Sequence, residues 1–264
     1  MATEVPTSRA TELPQTPPAL GATVAAGQVS AYLGLLRDLS DTDWTRPTDC
    51  TRWDVRQIAT HVAGELDESA RLPVALRHAW HSVRKSRRMS LVDGLNEAQV
   101  ADRRELPGPA VADDIERLAG TAIRVRLRMP AWVRRLPVPG NDLPRGSDLG
   151  YLFDVIYPRD LWMHRVDTAR ATRRPLPPAV GDDEVVRQVV RDLDRFWRGP
   201  AVVLDLSGPG AGRWLVGTGT ATATAYCDAV GLLRLLSGRP APVDLVVSGD
   251  SEVDRYLRAA RVAF

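Results

Sequence analysis

Three side chains have the types and spacing of a metal-ligand set. His61 lies in Trp53-Asp54-Val55-Arg56-Gln57-Ile58-Ala59-Thr60-His61-Val62-Ala63-Gly64. Asp160 and His164 lie in Arg159-Asp160-Leu161-Trp162-Met163-His164-Arg165-Val166-Asp167. Asp160, His164 and Asp167 extend a stripe that begins at Leu149, Phe153 and Ile156, with steps of three and four that keep to one helix face. The stripe starts apolar and turns ionisable without leaving that face. A carboxylate buried there needs a cation, a metal or a hydrogen-bond donor. In the earlier stretch Ile58, His61, Glu65 and Glu68 share a stripe beside Val55, Val62 and Leu66. If the two helices pack side by side, His61, Asp160 and His164 converge. Two imidazoles and a carboxylate suit catalytic zinc with its fourth position open, and also iron(II) with more positions free. The simpler alternatives are a satisfied core histidine at 61, an i,i+4 pair between 160 and 164, and an Asp167–Arg170 pair.

The elements that must position these groups follow from the apolar periodicity. Val24, Val29, Tyr32, Leu33, Leu36 and Leu39 predict a core-facing helix from Gly21 to Leu39. Asp54 with Gln57 three residues later is a capping-box variant, opening a helix that runs to about Arg71. Pro73 interrupts, and a basic helix follows over Ala75 to Arg88. Asp113 and Asp114 start a further helix, their charge suited to its positive end, that finishes near Pro130. Pro137 to Asp142 reads as a loop. Ser147 or Asp148 caps the next helix, which Pro158 kinks without ending.

Residues 1–19, rich in Pro, Thr and Ser, read as a disordered leader. The Arg173-Arg174-Pro175-Leu176-Pro177-Pro178 stretch separates a helical domain, 20–172, from a small α+β domain, 180–264. The second domain reads as a helix over Asp182–Arg198, strands at Ala201–Leu206, Arg213–Val216 and Thr220–Tyr226, a helix at Ala229–Ser237, a strand at Val243–Val247 and a last helix from Glu252. The fold class is therefore α+β.

The whole composition, with 44% hydrophobic and 26% charged residues, is that of an ordinary globular protein. A net charge of +2 argues against a nucleic-acid binder, even though the basic residues are nearly all arginine and Lys85 is the only lysine. Cys50 and Cys227 are no disulfide framework, and no apolar run or signal peptide stands out. The expectation is a cytoplasmic protein, monomer or weak dimer, without nucleic-acid or membrane partners.

Three sets of residues together resemble the mycothiol-dependent maleylpyruvate isomerase family, within the DinB-like superfamily of metal-binding helical bundles. The first is Asp43-Trp44, Pro47-Thr48-Asp49-Cys50-Thr51-Arg52-Trp53-Asp54-Val55-Arg56 and Ala59-Thr60-His61-Val62-Ala63-Gly64. The second is Asp160-x-x-x-His164-Arg165-x-Asp167. The third is Leu235-Leu236-Ser237-Gly238-Arg239, Val247-Ser248-Gly249-Asp250 and Arg261-Val262-Ala263-Phe264. The resemblance runs from about residue 20 to the end. It implies an N-terminal four-helix bundle, a C-terminal domain similar to sterol-carrier proteins, and a divalent metal, usually zinc, on His61, Asp160 and His164. The family's carboxylate is typically Glu, and here it is Asp160, one methylene shorter.

That resemblance implies an enzyme using mycothiol, or a similar small thiol, as cosubstrate. A metal-bound thiol is deprotonated near neutral pH and attacks an electrophilic carbon. Isomerisation follows if the adduct rotates and expels the thiol, and S-transfer if it does not. Arg239, in the Gly-Arg-Pro turn, is the candidate to hold a substrate carboxylate, or else only meets a helix dipole. Two other functions remain open: a non-catalytic small-ligand-binding protein with Glu65 as a fourth metal ligand, and a regulator whose basic helix meets an acidic partner. Gly208-Pro209-Gly210-Ala211-Gly212 reads as a hairpin turn rather than a phosphate loop. His78-x-x-His81 reads as part of a solvated basic face.

Overall fold

A computed structural model describes residues 7–138, 143–144, 146–240 and 243–264. The chain divides into two compact units: Pro17–Val180, and Gly181–Phe264 joined by the described part of Met1–Thr16. The first unit is helical and the second holds a five-stranded sheet, so the chain is α+β.

In the helical unit the elements are α1 (Pro18–Arg37), α2 (Val55–Ala70), α3 (Leu72–Lys85), α4 (Leu91–Asp102), α5 (Gly108–Arg128), the short α6 (Ala131–Arg134) and α7 (Leu149–Tyr151), and α8 (Tyr157–Thr172). Helices α1, α5, α2 and α8 pack in a ring, each against two others, and α3 with α4 lies on the α2 side. Tyr32, Leu36, Val55, Ile58, Val62, Val111, Ile115 and Leu161 fill the interior. Burial of such side chains contributes roughly 1.5–3 kcal/mol each. Helix α1 is long and apolar enough to cross a membrane by length and composition, and half of its apolar window is buried against its neighbours.

Local chemistry sets where these helices begin. Asp54 accepts from the Gln57 amide while the Gln57 side chain accepts from the Asp54 amide, the reciprocal cap expected at the start of α2. Asp148 caps α7 by accepting from the Tyr151 amide. Pro73 and Pro109 sit in the first turns of α3 and α5, where a missing N–H costs nothing. Those two helices therefore start earlier than the acidic and apolar patterns predict, at Leu72 and Gly108. Helix α4 is an element the sequence reading lacks altogether. Its signal is Ser90, whose hydroxyl accepts from the Asp93 amide. Of the expected loop at Pro137 to Asp142, residues 139–142 lie outside the described residues.

Pro158 does not end its helix. The segment Leu152–Ile156 forms a π turn between α7 and α8, with the Tyr157 amide donating five residues back to Leu152. Proline offers no N–H and crowds the carbonyl four residues earlier, and a wider turn relieves both problems. One extra residue enters the helix there, so the stripe of Leu149 and Phe153 is out of phase with that of Asp160 and His164. Phe153 instead faces Tyr157 and the Arg126 guanidinium.

The second unit contains β1 (Thr7–Arg9), α9 (Asp182–Phe196), β2 (Val202–Ser207), β3 (Gly212–Val216), β4 (Ala223–Asp228), α10 (Ala229–Leu236), β5 (Val246–Gly249) and α11 (Glu252–Ala259). The sheet order is β1-β3-β2-β4-β5. Gly208 and Gly210, at φ of 80° and 69°, turn the β2–β3 hairpin, as their positions in the sequence suggest. Val186, Val189 and Val190 of α9 and Leu232, Leu233 and Leu236 of α10 are buried in this unit's core, as are Val202 and Leu204 of β2.

Residues 7–16 of the expected disordered leader are instead ordered in this unit, residues 17–19 lie in the helical unit, and residues 1–6 lie outside the described residues. Thr7–Arg9 runs parallel to β3, pairing Thr7 with Arg213 and Arg9 with Leu215. Beyond it the Leu13 and Pro14 carbonyls accept from Arg191 and Gln188, at 3.1 and 2.8 Å, and Thr16 donates to Glu184. Composition alone misleads here, because an edge strand needs backbone pairing more than apolar content. Deleting residues 1–16 should lower the unfolding free energy by about 2–4 kcal/mol, from the lost bonds and orphaned donors. Urea denaturation of the two chains measures this, and equal midpoints would show the segment to be dispensable.

Candidate metal centre

His61 projects from α2, and Asp160 and His164 from α8, and one donor atom of each lies within 4.8 Å of the others. Asp160 Oδ2 is 3.2 Å from His61 Nε2 and 3.3 Å from His164 Nε2. Both imidazoles are almost fully buried, and Trp53 lies over them with ring centroids 4.9 and 6.0 Å away. The sequence-predicted set is thus brought together on facing helices. Donors on a tetrahedral zinc stand about 3.3–3.4 Å apart for bonds near 2.0–2.1 Å, and the two distances from Asp160 to the imidazoles match that spacing.

The other ring nitrogens turn away from the cluster toward acceptors. His61 Nδ1 donates to Gln99 Oε1 at 2.6 Å, which turns Nε2 toward Asp160; a protonated Nε2 donates to that carboxylate, and loss of its proton frees it as a ligand atom. Gln99 Nε2 donates in turn to Glu68 Oε1 at 2.9 Å. His164 Nδ1 faces Asp167 Oδ2 at 3.5 Å, the outer limit of a hydrogen bond. Metal-ligating histidines are oriented in this way, by an acceptor on the nitrogen that does not bind. Gln99 comes from α4, and its close approach depends on Gly64: a Cβ there would lie 2.4 Å from the Gln99 Cβ. The glycine three residues after His61 therefore lets α4 reach the imidazole.

The loop ahead of α2 is fixed by hydrogen bonds of its own. Thr48 Oγ1 donates to the Trp53 carbonyl at 2.8 Å, and the Trp53 amide donates to the Cys50 carbonyl at 2.8 Å. The Pro47-to-Asp54 stretch thus places Trp53 against the imidazoles and leaves Asp54 free to cap.

Electrostatics centre on Asp160. Burial pushes its carboxyl up, but His164 and then His61 outweigh burial and hold it well below the usual carboxylate range. Burial would lower His164; Asp160 and then Asp167 lift it instead to about 9. His61 is likewise raised, with Asp160 opposing its burial. Glu65, one turn along α2 with Oε1 3.9 Å from His61 Nε2, is pushed up to about 8 by burial and then by the Asp160 charge. Glu65 is not among the three mutually close donors.

The remaining candidates fall elsewhere. Arg239 belongs to the sheet-containing unit, just past α10, where its amide donates to the Arg234 carbonyl after Gly238 at φ 77°. His78 is not on a solvated face. It is buried, with Nδ1 2.6 Å from Glu68 and Nε2 2.8 Å from Asp102, and only His81 is partly exposed. The reason is α4, which covers that side of α3 and supplies Asp102. Sequence reasoning misses Gln99 for the same cause: an amide carries no chemical signature, and its helix was not expected.

Two outcomes follow. Gln99→Ala should weaken zinc binding about 10–100-fold, as loss of an outer hydrogen bond does elsewhere, measured by competition with a chromophoric chelator. An unchanged affinity would show that Trp53 and packing suffice to hold His61. Zinc must also displace protons from the raised histidines, so its affinity should climb as pH rises toward about 9 and fall below it, by up to about tenfold per unit for each proton displaced. Chelator competition at several pH values checks the sign.

The family model described as the mycothiol maleylpyruvate isomerase N-terminal domain matches residues 9–169. The crystal structure of the mycothiol-dependent maleylpyruvate isomerase superposes with a TM-score of 0.55 at 16% identity, covering 92% of this chain and 97% of that one. A histidine-to-alanine variant of that enzyme matches with the same values. At this identity the likeness is one of fold. No curated protein sequence matches the chain.

Proposed function

The chain belongs to the mycothiol maleylpyruvate isomerase family through its N-terminal domain, and on that premise we propose a metal-dependent thiol enzyme that uses mycothiol or a similar small thiol. The observation that carries this reading is the convergence of His61, Asp160 and His164, with His61 Nδ1 hydrogen-bonded to Gln99 and His164 Nδ1 turned toward Asp167. Zinc is the preferred ion, and the reaction is isomerisation or S-transfer on a small electrophile. The ring of four helices is taken as a DinB-like bundle, the sheet-containing unit as sterol-carrier-like, and the cytoplasm as the compartment.

A bound zinc would supply the acidity that keeps a thiol as its thiolate near neutral pH. The chain's own residues do the rest. His61 and His164 offer Nε2 lone pairs held in direction by Gln99 and Asp167. Asp160 contributes the negative charge that matches a divalent cation. Trp53 packs over both imidazoles and keeps water from that side. Glu65, whose carboxyl is raised by burial and then by the Asp160 charge, stands 3.9 Å from His61 as the group to protonate the carbanion left by thiol addition when the thiol is retained. Arg239 is assigned to the substrate's carboxylate. Addition, rotation and expulsion of the thiol give an isomerase; retention gives a transferase.

One observation favours a second reading. Glu65 Oε1, at 3.9 Å from His61 Nε2, is near enough to close the site as a fourth ligand in a non-catalytic binding protein. Metal analysis of the purified wild type beside His61→Ala and His164→Ala tests the first step. About one ion per chain is expected, lost in both variants; a wild type that stays metal-free with added zinc would sink the proposal. Cobalt substitution then separates the two readings. A thiolate-to-cobalt charge-transfer band on adding a small thiol supports the enzyme, and a spectrum unmoved by thiol supports the closed site.

A further inference from the structure

Helix α3 is built with its polar face inward. Val74, His78 and Ser82 are buried, and the latter two spend their polar atoms inside: His78 on Glu68 and Asp102, Ser82 on the Leu91 carbonyl. The outward stripe is apolar. Leu72, Leu76, Trp80 and Val83 follow at steps of four, four and three and remain 68, 62, 64 and 57% exposed. Single exposed apolar residues are ordinary, but a continuous ridge of large ones marks a contact surface. It extends about 16 Å along the helix.

Charge says what kind of surface covers it. From Ser69 to Val92 the chain has six Arg and Lys residues and no Asp or Glu. Arg77 and Lys85 are paired with Asp102 and Glu97. Arg84, Arg87 and Arg88 are exposed at the C-terminal end of α3 and make no ion pair among the described residues. A second copy would bring this all-basic segment against itself, which disfavours self-association. The ridge is also convex: its side chains project from one helix instead of lining a groove. A bilayer accepts such a shape without a complementary pocket, while a folded protein needs one.

We propose that α3 docks on an anionic lipid surface, with Leu72, Leu76, Trp80 and Val83 entering the interface and Arg84, Arg87 and Arg88 meeting lipid phosphates. This departs from the sequence-based expectation of no membrane partner, and it does not depend on the metal centre.

Co-sedimentation of the full-length protein with vesicles tests it. Binding is expected to phosphatidylcholine mixed with phosphatidylserine, not to phosphatidylcholine alone, and should weaken with added salt. Replacing Arg84, Arg87 and Arg88 together by Gln should reduce partitioning about a hundredfold, roughly fivefold per arginine. The pair Leu76→Ser and Trp80→Ser should reduce it comparably. All five side chains are exposed, so circular dichroism and zinc content should match the wild type. No sedimentation with the mixed vesicles overturns the proposal, as does sedimentation that the Leu76 and Trp80 changes leave unaltered. A dimer in light scattering that Trp80→Ser separates would assign the ridge to a second copy. Tighter binding to soluble polyglutamate than to vesicles would assign it to acidic proteins. Either result also overturns the lipid assignment.

Discussion

A single carboxylate charge taken out of water governs the helical unit. Left alone, Asp160 would have to protonate or draw in solvent; between two imidazoles it stays ionised and makes both of them more basic. That arrangement holds only if each ring presents the correct nitrogen, and most of the nearby packing serves this end. Gly64 gives α4 room, α4 carries Gln99, and Gln99 fixes the face that His61 turns toward Asp160. On the other side Asp167, fully buried on α8, stands behind His164. The glycine and the amide look unrelated to catalysis in the sequence, yet both determine how the histidine points.

How much of this could be read beforehand depended on the kind of signal. The convergence of His61, Asp160 and His164 was legible because their residue types are chemically distinct and three- and four-residue steps place them on helix faces. The Asp54–Gln57 cap was legible for the same reason: a local pattern closes within four residues. In the sheet-containing unit the hairpin glycines and alternating strands marked most boundaries to within a few residues. What escaped was non-local or chemically quiet. The pairing of Thr7–Arg9 depends on a strand far away in sequence, so local composition was silent about it. Gln99 and Gly64 matter only through each other. The stripe through Leu149 and Phe153 assumed a uniform helix, and the π turn at Pro158 shifted its phase.

Helix α3 shows a different conflict between local and tertiary demands. A helix on a water-exposed protein surface ordinarily turns its apolar stripe toward the core. Here the core side must accommodate His78, whose two nitrogens face Glu68 and Asp102, and a close crossing at Gly94 where a Cβ would lie 2.7 Å from the Ser82 backbone. Small and polar groups therefore occupy the inner face, and the leucines and tryptophan are left outside. The basic pattern noticed in the sequence was real, but its apolar companion emerged only once the orientation of the helix was known.

The position of the first strand also has a kinetic side. Thr7–Arg9 leaves the ribosome early, yet its partner Arg213–Leu215 is made only about 200 residues later. During synthesis the helical segment can form and bury His61 and His164 while that strand waits unpaired. Completion of the sheet must then pair two strands that flank the whole helical segment in sequence. Contacts of such long sequence separation form slowly. Pairing of Thr7–Arg9 with Arg213–Leu215 would thus come well after the histidines have met the carboxylate.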